Sequence, residues 1–241
     1  MNAKTGTPPV QNPSDLTAGI LSRFAAILFS CAAELAILFL SAGRLDWIWP
    51  WVWLGINLVI VPINGIILMR TNPETVAERG RPREVKDWDK IVSGLWALAL
   101  YIFIPLVGGL DFRFGWTHRL APGWNIAGAI LYTAGLVLFS WAMITNSFFS
   151  TAARIQSDRG QTVCRSGPYR FVRHPGYSGA ILQSLGTSLL LGSLWSLIPA
   201  AVGAIAMIAR TALEDRMLQN ELAGYRDFVR DVPQRLVPGV W

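Results

Sequence analysis

Three polar stretches hold the side chains that could do chemistry: QSDRGQTVC at 156–164, SGPYRFVRHPGY at 166–177 and RTALED at 210–215. Arginine and histidine side chains, with backbone N–H groups, can hold a carboxylate or phosphate. Tyr169 and Tyr177 offer ring faces to an aromatic base or a cation. Glu214 can accept from sugar hydroxyls or an ammonium group, and on a helix it shares a face with Arg210, four residues earlier. Anion, aromatic ring and polyol together describe a nucleotide-like cofactor. S-adenosylmethionine and NADPH both fit that description. No GxGxxG and no Walker loop is present, so neither a Rossmann nor a P-loop mode is available. The plainer alternative is a set of basic loops placed by membrane topology.

These stretches lie in a chain built for lipid. It has 241 residues, of which 52% are hydrophobic and 15% charged, with a mean hydropathy of +0.39. Soluble domains carry about 25% charged residues. The net charge of +6 is what basic membrane loops produce, and it argues against nucleic acid as a partner. Cys31 and Cys164 have no metal or redox spacing, so no metal site is expected. The first 18 residues, rich in Pro, Thr and Asn, read as a disordered tail ahead of a single domain at 19–241.

A spanning helix needs about 20 apolar residues. Stretches 21–42, 49–69, 91–110 and 124–146 qualify. The region 178–209 is too long for one span and is interrupted by Gly192-Ser193 and Pro199. It is expected to form a hairpin of two helices, each a little short for the bilayer. Charge supports this. Arg70, Arg79, Arg81, Arg83, Lys86 and Lys90 fill one loop, Arg154, Arg159, Arg165, Arg170 and Arg173 another, and Arg210, Arg216, Arg226, Arg230 and Arg235 the tail. The opposite connections hold Arg44, Arg113 and Arg119. A hairpin keeps all three basic segments on the cytoplasmic side, with both termini and the 147–177 loop. The predicted fold is therefore all-α: a polytopic transmembrane bundle of four spans plus a C-terminal hairpin, with a cytoplasmic cofactor pocket.

Trp47, Trp49, Trp51, Trp53, Trp116 and Trp124 are expected to form interfacial belts. Glu34 sits mid-span, where a carboxylate costs about 2.5–3.5 kcal/mol, so it is a candidate substrate-facing group or else a buried, hydrogen-bonded one. Leu213, Met217, Leu218 and Leu222 recur at helical spacing and predict an amphipathic helix leaving the membrane, ended near Gly224.

In order and spacing, GQTVCRSGPYRFVRHPGYSG, then R-x-x-x-E-D-x-x-L, then GYRDF…VPQRLVPGVW resemble the isoprenylcysteine carboxyl methyltransferase family over roughly 150–241. The resemblance implies an integral membrane enzyme that uses S-adenosylmethionine and methylates the carboxylate of a prenylated cysteine. It implies cofactor contacts at Gln156, Gln161, Thr162, Val163, Cys164, Tyr169, His174, Pro175, Gly176, Tyr177 and Glu214, and a methyl acceptor at Arg210. Gln161 departs from a frequent histidine, Asp215 from a second glutamate and Phe228 from a common tyrosine, which leaves the acceptor open. Phospholipid amine or small-thiol methyltransferases, NADPH-dependent membrane sterol reductases, and a non-catalytic membrane scaffold are the alternatives. The reductase loop pattern R-H-P-N-Y-x-G-E differs here at Gly176 and Ala180.

Overall fold

The computed structural model describes residues 13–81, 85–118 and 120–241. Residues 1–12 of the expected tail, and the loop arginines Arg83 and Arg119, lie outside that description. Every regular element among the described residues is helical. Helix α1 (Pro13–Ala42) starts earlier than expected, so residues 13–18 are its first turns and not part of a tail. It is followed by α2 (Ile48–Thr71) and a short α3 (Pro73–Gly80) opened by its proline.

Helices α4 (Asp87–Leu98) and α5 (Ile104–Phe114) form one crossing, joined by a π turn at Ala99–Phe103. Pro105 accounts for that turn: it lacks an N–H and its ring clashes with the carbonyl four residues back, that of Tyr101. Widening the helix there relieves the clash and turns the intervening side chains. Then come α6 (Pro122–Thr145), α7 (Pro175–Leu190), α8 (Leu197–Glu221) and α9 (Tyr225–Asp231).

Five helical stretches are long and apolar enough to cross a membrane: Ser14–Ala42, Ile48–Thr71, Asp87–Phe114, Pro122–Thr145 and Leu197–Glu221. With them, α7 makes the expected hairpin with α8. Its 16 residues reach only about 24 Å, short of the roughly 30 Å hydrocarbon core. It compensates by lying against α6 almost backbone to backbone. A Cβ on Gly128 would fall 2.1 Å from the Leu190 nitrogen, and one on Gly186 would fall 2.4 Å from the Tyr132 nitrogen. Helix α8, in contrast, is not short. Pro199 is tolerated in its first turn, and the helix runs unbroken to Glu221, so the amphipathic segment expected after 210 is its continuation. Its cap is at Leu222, and Gly224 instead opens α9 with a left-handed backbone, φ +78°.

The connections sort to two ends. At one end the Asp111 carboxylate accepts from the Thr117 N–H and Oγ1, both at 2.6 Å, and from Ser193 Oγ. Trp116 packs edge-on against Trp195 there. At the other end Thr75 Oγ1 donates to the Ser147 carbonyl at 2.6 Å, and Lys86 pairs with Glu221 at 3.1 Å. The three basic segments thus meet at one end of the bundle. Two of the expected belt residues are core instead: Trp47 and Trp53 are each 4% exposed, and Trp47 stacks on Phe112 at 4.4 Å. Trp51, Trp116 and Trp124 remain on the surface.

Candidate active site

The 146–174 segment cannot be a helix for long, since Pro168, Gly160 and Gly167 interrupt it, and it folds into a loop braced by its own polar side chains. Gln156 is buried. Its Nε2 donates to the Phe148 carbonyl at 2.7 Å, its Oε1 accepts from Arg159, and its N–H donates to Gln161 Oε1 at 2.7 Å. Arg154 staples the loop to α3 through Glu78 at 3.0 Å and grips Asp158 at 2.8 Å. Burial opposes its charge, but the bonds to Asp158 and Glu78 outweigh that and raise its pKa.

The Arg-His-Pro turn is held by the C-terminal tail. The N–H groups of Arg173 and His174 donate to the carbonyls of Gln234 and Arg235 at 3.0 and 2.9 Å. Arg173 Nη1 donates to the carbonyls of Val232 and Pro233, each at 2.7 Å. Its other nitrogens form a two-pronged pair with Asp215 of α8 at 2.7 and 2.8 Å. Asp215 is fully buried and also accepts from Arg235 Nε and the Tyr225 hydroxyl, both at 3.0 Å, with His174 Nε2 3.2 Å away. One carboxylate therefore joins loop, helix and tail. Burial, reinforced by that carboxylate, drives the Tyr225 phenol above the usual tyrosine range.

Pro175 then starts α7 at a position that needs no N–H, which fixes the direction of the next turn. Tyr177, two residues on, stacks parallel to His174 at 5.6 Å, and its hydroxyl donates to Glu214. Arg210 lies behind it, with its guanidinium carbon 5.0 Å from the Tyr177 ring centroid. Arg210 is held by Asp89 of α4 through bonds of 2.7 and 3.2 Å, and it donates to the Thr151 carbonyl at 2.8 Å. Asp89 also accepts from the Ala153 N–H at 2.7 Å and Ser93 Oγ at 2.8 Å.

Gln156, Gln161, Thr162, Val163, Cys164, Tyr169, His174, Gly176, Tyr177 and Glu214 line one cleft, with aromatic walls from Phe148, Phe149, Tyr225 and Phe228. Pro175 and Arg210 stand behind that lining. Glu34 does not join it. It is 9% exposed in the second half of α1, and its electrostatic neighbours are Cys31, Tyr101 and Tyr132.

Sequence reasoning overlooked three contributors. Asp89 had only an acidic first helical turn to mark it. Arg154 appeared as one loop charge among several. Asp215 appeared as a variant position and not as the hub of a network. Among curated proteins no match is found. Residues 124–223, from the first turn of α6 to just beyond α8, match the model of the phospholipid methyltransferase family and so span most of the cleft's framework.

Proposed function

We propose that the chain is an integral membrane methyltransferase that moves a methyl group from S-adenosylmethionine to a lipid-tailed acceptor, with the amine headgroup of a phospholipid as the preferred acceptor class. The observation that carries this is the junction of Tyr177 and Glu214, which sets the start of α7 and the polar part of α8 on one wall of one cleft. The family match over 124–223 supports methyl transfer as the chemistry.

The cleft's chemistry suits this cofactor. Its aromatic walls suit an adenine. The Glu214 carboxylate attracts a sulfonium. His174 and the N–H groups of the 161–164 loop suit a carboxylate. When bound, S-adenosylmethionine supplies an activated methyl group on a sulfonium. The protein's share is alignment, worth up to about 7–11 kcal/mol in well-oriented systems, and exclusion of water.

An amine acceptor arrives protonated, with a pKa near that of lysine, about 10, and must lose its proton before it can attack. Glu214 is the cleft carboxylate able to take it. One of its oxygens accepts from Tyr177, and the other is left for the acceptor. Arg210 is neutralised by Asp89 and keeps Nη1 unpaired among the described residues. That makes it a positioning group more than a carboxylate clamp, and so favours the amine. The second reading is the carboxylate of an isoprenylcysteine-like molecule. The C-terminal motifs favour it, and it needs no base, because its pKa near 4 leaves it ionised. Positive-inside asymmetry supports a cleft at the cytoplasmic leaflet, where an acceptor's tail would stay in lipid while its head meets a water-soluble cofactor.

Calorimetry with S-adenosylhomocysteine, with NADPH as the counter-ligand, tests the cofactor. Labelled S-adenosylmethionine offered with phosphatidylethanolamine, farnesylcysteine, a fatty acid and a thiol tests the acceptor. The expected result is S-adenosylhomocysteine binding without NADPH binding, and label in the amine lipid. Arg210→Gln is expected to keep cofactor affinity and lower turnover about a hundredfold through misplacement. Binding of NADPH instead, or full turnover in Arg210→Gln, overturns the proposal.

A further inference from the structure

Arg79 and Arg23 lie outside the cleft lining and outside residues 124–223, and no step above uses them. Arg79 is in the last turn of α3. Its guanidinium carbon sits 5.1 Å from the Phe149 ring centroid and 5.6 Å from that of Phe139, and its Nε is buried without a hydrogen-bond partner. Helices α1 and α3 bring Arg23 to the same place by unusually close packing. A Cβ on Gly19 would lie 2.7 Å from the Ala77 carbonyl, and one on Gly80 only 2.9 Å from the Arg23 nitrogen. Ser22 Oγ closes the contact by donating to the Gly80 carbonyl at 3.0 Å. Arg23 is one turn beyond Gly19 and shares its face.

The buried arginines at this end each have a carboxylate: Arg154 has Glu78, Arg173 has Asp215 and Arg210 has Asp89. Arg79 and Arg23 make no ion pair among the described residues. The groups whose charge reaches Arg79 are Arg23, Tyr101, Arg210 and Tyr177, none of them a carboxylate, and burial followed by the Arg23 charge pushes its pKa well down. Glu34 does not fill the gap, because it is eleven residues farther along α1, about 16 Å. Tyr101 stands in the π turn that Pro105 imposes, against Trp96 at 6.1 Å. Two more buried donors nearby lack acceptors: Trp96 Nε1, and Oγ1 of Thr151, the residue whose carbonyl holds Arg210. Unpaired donors and uncompensated positive charge, beside Arg210 and Tyr177, call for a group that only accepts.

We infer that Arg79 and Arg23, together with Tyr101, form an anion subsite that holds an oxyanion of the methyl acceptor other than the group being methylated, the phosphate in a phospholipid amine, while its reacting head reaches Arg210 and Tyr177. The role assigned to the ligand rests on the methyltransferase reading; the subsite's preference for an oxyanion does not. In a phospholipid amine the phosphate lies two carbons from the nitrogen, so one molecule presents both groups to adjoining sites. The packing of α3 on α1 makes the subsite a specificity element contributed by the N-terminal half of the chain.

The test is native mass spectrometry of the full chain in detergent, with dioleoyl phosphatidylethanolamine, farnesylcysteine and dioleoylglycerol as probes. Wild type is expected to hold at least one of the two oxyanion-bearing probes about tenfold more tightly than dioleoylglycerol, and the phosphate and carboxylate arms show which oxyanion is preferred. Arg79→Gln and Arg23→Gln are each expected to erase that preference while S-adenosylhomocysteine affinity stays within about threefold. Arg79→Lys, which keeps the charge without the fork, is expected to recover part of it. Equal retention of the oxyanion-bearing probes by wild type and both Gln variants overturns the subsite. So does a loss of all three probes together, which marks a packing role. Should wild type bind no S-adenosylhomocysteine while lipid preference still depends on Arg79, the subsite stands and methyl transfer falls. Should turnover be found with an acceptor KM unchanged in Arg79→Gln, the reverse holds.

Discussion

Asp215→Asn is the most informative single change, because one buried carboxylate holds three segments together. The Asp215 side chain is 0% exposed, and the Arg173 side chain facing it is 2% exposed. Asparagine keeps one accepting oxygen but puts an NH₂ donor where Arg173, Arg235 and Gln219 already donate. Arg173 is left with two backbone carbonyls and an uncompensated charge. Removing one partner of a buried pair costs about 3–5 kcal/mol, whereas replacing both by apolar groups of similar volume is near neutral. Asp215→Asn is therefore expected to lose about 3–5 kcal/mol in denaturant unfolding in micelles, and the double variant Asp215→Leu with Arg173→Met to recover most of that loss. Recovery of stability is not expected to restore cofactor binding. Without Asp215, His174 loses its carboxylate partner and keeps only the Tyr225 hydroxyl, and the turn that aims Tyr177 loses its carboxylate tie to α8. S-adenosylhomocysteine affinity in the double variant should remain at least about tenfold weak. Stability of Asp215→Asn within about 0.5 kcal/mol of wild type, the range of a surface change, would refute the network argument. Wild-type affinity in the stable double variant would reduce Asp215 to a purely structural role.

Gly128→Ala and Gly186→Ala are each expected to destabilise by about 1–3 kcal/mol, since the new methyl meets backbone that cannot give way. Gly55→Ala on α2, with open space around it, is expected to be neutral or stabilising by about 0.5–1 kcal/mol. Unfolding in one detergent compares all three. The raised pKa of the Tyr225 phenol means the folded state holds its proton more tightly than the unfolded chain, whose tyrosine titrates near 10. Its contribution is complete below about pH 10 and declines as pH rises toward the folded value. Unfolding free energies measured from pH 9 to 11 should therefore fall less steeply in Tyr225→Phe than in wild type.

Chain-local signals carried much of this protein. Runs of apolar residues set the crossings, clustered arginines sorted the loops to two ends, and Gly192 with Pro199 marked the α7–α8 hairpin. Each of these acts through neighbours in sequence, which is why each was legible there. His174, Tyr177, Arg210 and Glu214 were also visible as a set, through residue type and spacing. Their partners were not. Asp89 meets Arg210 across 121 residues, Glu78 meets Arg154 across 76 and Asp215 meets Arg173 across 42. Nothing in the local composition distinguishes these acids from solvated ones. The length of α8 was misjudged because arginine and glutamate after 210 read as departure from the membrane, although helix propensity carries straight through them. Trp47 and Trp53 were placed in a belt for a similar reason: an aromatic near a span boundary serves lipid or core equally well, and only the packing of α5 beside Trp47 and of α6 beside Trp53 decides. Which charges are paired, and therefore which arginines are left without a carboxylate, is a property of helices brought together in space, because a counter-charge is fixed by distance through the fold and not by position along the chain.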